Sequence, residues 1–183
     1  MKQTKENRVR FLAVTGLIAG LYTALTLMVA PLSFGPVQCR LSEALTVLAV
    51  YTPAAVPGLT LGCAISNLVG LSMGANVAGA LDILLGTVAT GLAAWLTYLL
   101  RRQRLLGLPV LSTIPPVILN ALIVGTELAV VTVPDLTIGG WLFWCSSVGL
   151  GQIVACMGGG LVLAKTIEKT GFQRYLTQNN YTD

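Results

Sequence analysis

Seven polar side chains interrupt long apolar stretches: Arg40, Glu43, Asn67, Asp82, Asn120, Glu127 and Gln152. A charge at the centre of a membrane helix costs about 2.5–3.5 kcal/mol on insertion scales, so each such group needs a partner or a purpose. The plainer reading is structural. Arg40 and Glu43, three residues apart, would form an ion pair on one helical face, and the other polar groups would join helices by hydrogen bonds. The sharper reading rests on charge. Glu43, Asp82 and Glu127 have only Arg40 to pair with, which points to an acid-rich pocket for a ligand that brings hydrogen-bond donors. Asn120 and Glu127 are seven residues apart, so they share a helix face to within about 20°. Trp141 and Trp144 stand at the start of a later apolar run, where an aromatic ring can stack on a planar ligand or anchor the helix at the membrane interface.

Other chemistries find no support. The chain has no histidine, and Cys39, Cys63, Cys145 and Cys156 are scattered without a CxxC pair, so neither a metal site nor a cofactor site is expected. The cysteines read as thiols filling gaps in a bundle. Residues 159–166, GGLVLAKT, resemble a phosphate-binding P-loop, but Ala164 replaces the second glycine and no strand precedes the motif. No GxSxG elbow, HExxH or paired-acid transferase motif is present. A transport role that uses ATP therefore requires another subunit to hydrolyse it, and the chain reads as a non-enzyme.

The elements that position these groups are membrane helices. Of 183 residues, 55% are hydrophobic and only 10% charged, and the mean hydropathy is +0.80, which places the chain in the membrane class. The expected fold is all-α, one integral membrane domain of six transmembrane helices over residues 1–183. The first span runs from about Phe11 to Ala30 and stops at Pro31. The second starts near Leu41 and meets Pro53 after about a dozen residues, too few at ~1.5 Å each to cross ~30 Å of hydrocarbon. The connector before it is therefore expected to dip into the membrane, which backbone tolerates only where it is buried in protein or lines a wet cavity. The third span covers about Pro57 to Met73 and the fourth about Val77 to Leu100, ended by Arg101, Arg102 and Arg104. The fifth is opened by Pro115 and Pro116 and runs to about Val133. The sixth runs from about Ile138 to Lys165.

Orientation follows from the positive residues. With six spans and the N-terminus inside, the cytoplasmic segments hold Lys2, Lys5, Arg8, Arg10, Arg101, Arg102, Arg104, Lys165, Lys169 and Arg174, and the outer side holds Arg40 alone. Ten against one is a strong positive-inside bias and supports both termini in the cytoplasm. Residues 1–10, 101–107 and 166–183 are expected inside, residues 32–40 and 134–137 outside. The net charge of +4 sits at helix ends, which argues for a lipid bilayer and against a nucleic-acid partner. In this frame most of the interior polar groups lie in the outer half. Small residues form two stripes, Gly16, Gly20 and Ala24 on the first span and Gly58, Gly62, Ser66, Gly70 and Gly74 on the third, and such stripes let helices approach closely.

Three segments carry a family resemblance: FGPVQCRLSEALTVLAVYTPAAVPGLTLG (residues 34–62), DILLGTVATGLAAWLTY (82–98) and PPVILNALIVGTEL (115–128). Together they resemble the QueT family, substrate-binding S components of energy-coupling factor (ECF) transporters assigned to queuosine precursors. The R-x-S-E-A-L-T block from Arg40 to Thr46 is the most specific part, and Cys39 stands where the family pattern has Phe or Val.

The resemblance implies a six-helix subunit of the bacterial plasma membrane that captures a 7-deazaguanine from outside, namely queuine or its aminomethyl or cyano precursors. It implies a transmembrane coupling protein and two ABC-type ATPases as partners, with Gly16, Gly20 and Ala24 docking against the coupling protein. A deazaguanine presents a donor edge that suits a carboxylate, and an aminomethyl form adds a cation that requires a second acid. Arg40 would hold one acid or bind the purine carbonyl. The alternatives are an S component for another micronutrient such as a vitamin, a membrane-embedded enzyme, or a channel or self-sufficient transporter.

Overall fold

A computed structural model of the chain describes residues 2–35 and 38–177. Met1 and residues 178–183 of the expected tails, and residues 36 and 37 of the expected outer connector, lie outside the described residues. Among the described residues the regular secondary structure is all helical, apart from one isolated bridge between Leu105 and Leu108.

Helix α1 spans Lys2–Met28. It begins well before Phe11 because its polar first turns consist largely of good helix formers such as Lys, Gln, Glu and Arg. The backbone breaks at Val29, and a short helix α2, Ala30–Phe34, starts with Pro31 in its first turn, where the missing N–H is not needed. The second membrane segment, Leu41–Val50, is a 3-10 helix. Ten residues at ~2.0 Å each make it about 20 Å long, shorter than the hydrocarbon core. Helices α3 (Ala55–Ser72), α4 (Leu81–Leu99) and α5 (Ile114–Thr132) follow. The last span is α6 (Ile138–Gln152), a π-helical stretch Ile153–Gly159 and α7 (Gly160–Thr170), trailed by a short α8, Gln173–Thr177. Residues 159–166, the P-loop lookalike, are thus helical along their whole length.

Five helical runs are long and apolar enough to cross a membrane: Lys5–Met28, Ala55–Ser72, Leu81–Arg102, Val110–Thr132 and Ile138–Thr170. Leu41–Val50 is apolar but shorter, so of the six expected spans, the second of them expected to be short, five are found as long helices. Leu17, Leu61, Leu84, Ile118, Leu142 and Val162 are exposed, while Arg40, Glu43, Asn67, Asp82 and Thr90 are buried. An apolar exterior around a polar interior is the arrangement a bilayer favours.

Helices α1, α3, α4, α5 and α6 pack in succession, each against the next, and the 3-10 segment touches α1, α3, α4, α7 and the π-helical stretch. It is the axis of the bundle. Two glycines make room for it: a Cβ on Gly159 would lie 3.1 Å from the Ala44 Cβ, and one on Gly160 3.4 Å from the Ala44 carbonyl oxygen.

Residues of α1 and of α7 and α8 meet at one end of the bundle. Arg10 donates to the Tyr175 carbonyl at 3.3 Å, Arg104 forms an ion pair with Glu168, and the Tyr51 hydroxyl donates to Glu168 at 2.8 Å. These contacts place the start of α1, the turn after the 3-10 segment, the α4–α5 loop and the end of α7 side by side.

The two small-residue stripes have different fates. On α3, a Cβ at Gly58 would meet the Thr15 carbonyl oxygen at 2.9 Å, one at Gly62 would meet the Ala19 carbonyl oxygen at 2.9 Å, and one at Gly70 would strike the Phe34 ring at 2.6 Å, so this stripe is consumed by packing on α1 and α2. Gly74 is not part of it, since it lies past the helix end with φ +67°. On α1, Gly16 and Gly20 have nothing within 4 Å, and both are exposed along with Ala24.

Candidate functional site

Glu43 occupies the first turn of the central 3-10 segment and is fully buried. Its backbone is held by Glu43 N donating to the Arg40 carbonyl at 3.0 Å and by the Thr46 hydroxyl donating to the Glu43 carbonyl at 2.6 Å. Glu43 Oε1 accepts from the Tyr22 hydroxyl of α1 at 2.5 Å and from the Thr90 hydroxyl of α4 at 2.8 Å. Glu43 Oε2 has no partner among the described residues. The carboxylate is therefore oriented by two helices with one oxygen left over.

Asp82 is tied in the same one-sided way. Helix α4 starts at Leu81 and not at Val77, because the preceding residues form turns with Gly74 and Gly79 at positive φ. Asp82 thus sits in the first turn, where a carboxylate complements the helix dipole. Its Oδ2 takes the Arg40 guanidinium as an ion pair and the Asn76 amide at 3.0 Å, and Asn67 donates to its main-chain oxygen at 2.6 Å. Asp82 Oδ1 and Asn67 Oδ1 have no partner among the described residues.

The Arg40–Glu43 ion pair of the plainer reading does not form. Arg40 is the extended residue before the 3-10 segment, at φ −83° and ψ 99°, so its side chain leaves the helical face on which a three-residue spacing would matter. It turns to α4, donates to the Ser33 carbonyl at 3.4 Å and lies 5.3 Å from the Phe34 ring centroid.

Glu127 and Asn120 are both buried on α5, on the shared face that their spacing predicts. Asn120 is satisfied within its own turn by donating to the Pro116 carbonyl at 2.9 Å. Glu127 differs: neither carboxylate oxygen has a partner among the described residues, although Asp82 and Arg40 are within electrostatic range. It lines a cleft of about 310 Å³ between α4 and α5 with Leu81, Leu85, Ile123, Thr126 and Val130. Trp141 is fixed beside it by donating to the Thr126 hydroxyl at 2.8 Å, whereas Trp144 packs on the cluster of Val124, Leu128 and Val148. Gln152 is linked to Glu43 through Cys156, whose thiol donates to Gln152 Oε1 at 3.1 Å and to the Glu43 carbonyl at 3.5 Å.

A family model described as QueT transporter matches residues 12–169. The chain belongs to the QueT transporter family. Its match runs from α1 into α7 and includes every residue of the buried polar cluster. Family membership and the apolar helices together make the chain a multi-pass membrane protein with a transport role. No curated protein and no solved structure matches the chain.

The QueT cluster contains members that the polar-in-apolar criterion passes over. Tyr22 and Thr90 orient Glu43, Asn76 braces Asp82, and Cys63 lies among them, with its sulfur 3.4 Å from Thr90, 3.6 Å from Asn67 and 3.7 Å from Arg40. Cys63 is thus a soft acceptor inside the polar network and not gap filling alone. Gly86 matters by what it lacks: a Cβ there would strike Asp82 Oδ1 and lie 2.9 Å from Asn67 Nδ2. Spacing held a signal for two of these. Tyr22 is two residues from both Gly20 and Ala24, hence on the opposite, inward face of α1, and Cys63 is one turn before Asn67.

Proposed function

We propose that this QueT chain is the S component of an ECF-type ATP-driven importer and captures a 7-deazaguanine queuosine precursor from outside the cell. One observation carries the reading. Among the described residues, Glu43 and Asp82 each have one carboxylate oxygen without a partner and Glu127 has two, all in the protein interior. Buried acceptors without donors are expensive, and a ligand that supplies donors relieves the cost. The ring N–H and exocyclic amine of a deazaguanine are such donors, and charge-assisted bonds to a carboxylate are about twice as strong as neutral ones.

In this reading Glu43, Asp82 and Asn67 accept from the base, Arg40 holds Asp82 in place, and Trp141 offers a stacking surface beside Glu127. Asn120 and Trp144 form the packing behind them. The 3-10 segment and the residues 38–40 that precede it complete a sixth crossing in this reading, since Arg10 of α1 and Tyr175 of α8 meet at one end of the bundle. That end holds Arg10, Arg104 and Arg174 and faces the cytoplasm of a bacterial cell under the positive-inside bias. The free face of α1 at Gly16, Gly20 and Ala24 docks the transmembrane coupling protein, which is driven by two ABC-type ATPases.

Titrating the purified chain with deazaguanines and with riboflavin, thiamine and biotin tests the proposal. Saturable binding of a deazaguanine and no vitamin is the expected result. Preferential binding of a vitamin would reassign the substrate, and uptake by vesicles holding this chain without ATPases would remove the ECF role.

A further inference from the structure

We propose that the groove between α1 and α7 seats an acyl chain of an anionic phospholipid, with Arg10 and Arg174 receiving the phosphate of its head group. The proposal is independent of the substrate assigned above.

The groove follows from the packing order. The succession from α1 to α6 leaves a seam between α1 and α7, both of which pack on the 3-10 segment. Leu45 and Leu48 of that segment are buried and form the floor. Leu17 and Leu21 of α1 make one wall and Leu163 and Ile167 of α7 the other, around a volume of about 460 Å³. Arg10, Leu17 and Leu21 fall within about 40° of one another around α1, so one straight stripe runs from the charged end into the bundle. Its rise from Arg10 to Leu21 is ~16 Å, close to the ~15 Å of hydrocarbon in one leaflet. The face of Gly16, Gly20 and Ala24 is centred about 80° further round the helix, which makes the groove a separate surface.

Charge decides what fills it. Arg10 lines the groove and donates to a neutral partner, the Tyr175 carbonyl. Tyr175 also lines a hollow of about 300 Å³ with Thr170, Gly171 and Arg174, so the two arginines flank one residue. Neither lining contains an acid. The ion pairs among the described residues, Arg40–Asp82 and Arg104–Glu168, involve neither Arg10 nor Arg174. Two cations thus stand without a counter-ion at the mouth of an apolar groove. A phosphodiester supplies the negative charge and the acceptor oxygens, and its acyl chain covers the leucines. Phe172 and Tyr175 are exposed beside them with ring centroids 6.0 Å apart, and such aromatics sit at head-group depth. A choline head group brings its own cation to the arginines and gains less from them.

The test is native mass spectrometry of the purified full chain with phosphatidylglycerol and phosphatidylcholine of equal acyl length. The expected result is one phosphatidylglycerol retained per chain, at least about tenfold tighter than phosphatidylcholine. Arg10→Gln combined with Arg174→Gln, at a melting temperature like the parent's in lipid-free detergent, should bring the ratio to within about threefold of one. If that pair of changes lowers the melting temperature, Arg174→Gln alone should reduce the preference about threefold. Leu163→Trp, which fills the groove and keeps both arginines, should weaken retention of both lipids. Equal retention of the two lipids by the parent, or a full preference surviving the loss of the arginines, overturns the proposal. Unchanged retention by a folded Leu163→Trp chain removes the acyl seat and overturns it as well. A lipid-free dimer would give the groove to a second copy of the chain, with the same consequence.

Discussion

Arg40 and Asp82, 42 residues apart in sequence, form an ion pair in the interior with side chains 3% and 0% exposed. The pair joins the connector before the 3-10 segment to the first turn of α4, and it leaves Glu43, the nearer acid in sequence, free for other partners. Breaking such a pair from one side strands a charge, at a cost of about 3–5 kcal/mol. Arg40→Ala should therefore lower the melting temperature in detergent sharply, and adding Asp82→Asn should recover part of the loss. Equal destabilisation by the single and double variants would show that the two residues do not act as a pair.

Tyr22 ties α1 to the central segment through Glu43. Tyr22→Phe keeps the ring and removes the donor, and a hydrogen bond to a carboxylate is worth about 1.5–3 kcal/mol. A fall in thermal stability of that size is expected, together with weaker ligand binding because Glu43 loses its orientation. Thermal unfolding and titration of the same variant measure both effects.

The helices were largely legible in the sequence, because apolar runs punctuated by Pro31, the Arg101 cluster and Pro134 leave few other choices. Their irregularities were not. The 3-10 winding of Leu41–Val50 and the π-helical stretch Ile153–Gly159 occur where Ala44 packs against Gly159 and Gly160, a contact between segments more than a hundred residues apart. The buried cluster was legible where a residue was conspicuous in apolar surroundings, as with Arg40, Glu43, Asp82 and Glu127. Tyr22, Cys63 and Thr90 are ordinary in membrane helices, so only the assembled bundle shows what they touch. The partner of Arg40 depends on the extended backbone at that residue, which helical spacing cannot reveal.

The two glycine stripes should respond differently to a bulky side chain. Gly62→Leu must displace α1 at the Ala19 carbonyl and should prevent stable folding, since overpacking a tight contact costs about 1–3 kcal/mol or more. Gly20→Leu meets open space and should leave folding and ligand binding unchanged while preventing assembly with the coupling protein. Co-purification of the coupling protein with the Gly20→Leu chain would contradict the assignment of that face.

Topology is open to single-cysteine labelling in a cysteine-free background. Gln103→Cys should be shielded from an impermeant reagent in intact cells and Asp135→Cys should be labelled. Labelling at residue 103 would invert the orientation and with it the outward-facing site.

The central claim is that the buried acids bind the transported base. The most direct measurement is titration of the purified chain with aminomethyl-7-deazaguanine, for the parent and for Glu43→Ala and Glu127→Ala variants that remain folded in detergent. Loss of a carboxylate that accepts from the ligand costs about 2–4 kcal/mol, or roughly 30- to 1,000-fold in affinity. Saturable binding by the parent and near-complete loss in each variant is the predicted result. Two folded variants that bind the deazaguanine as the parent does would show the acids to be structural and contradict the account.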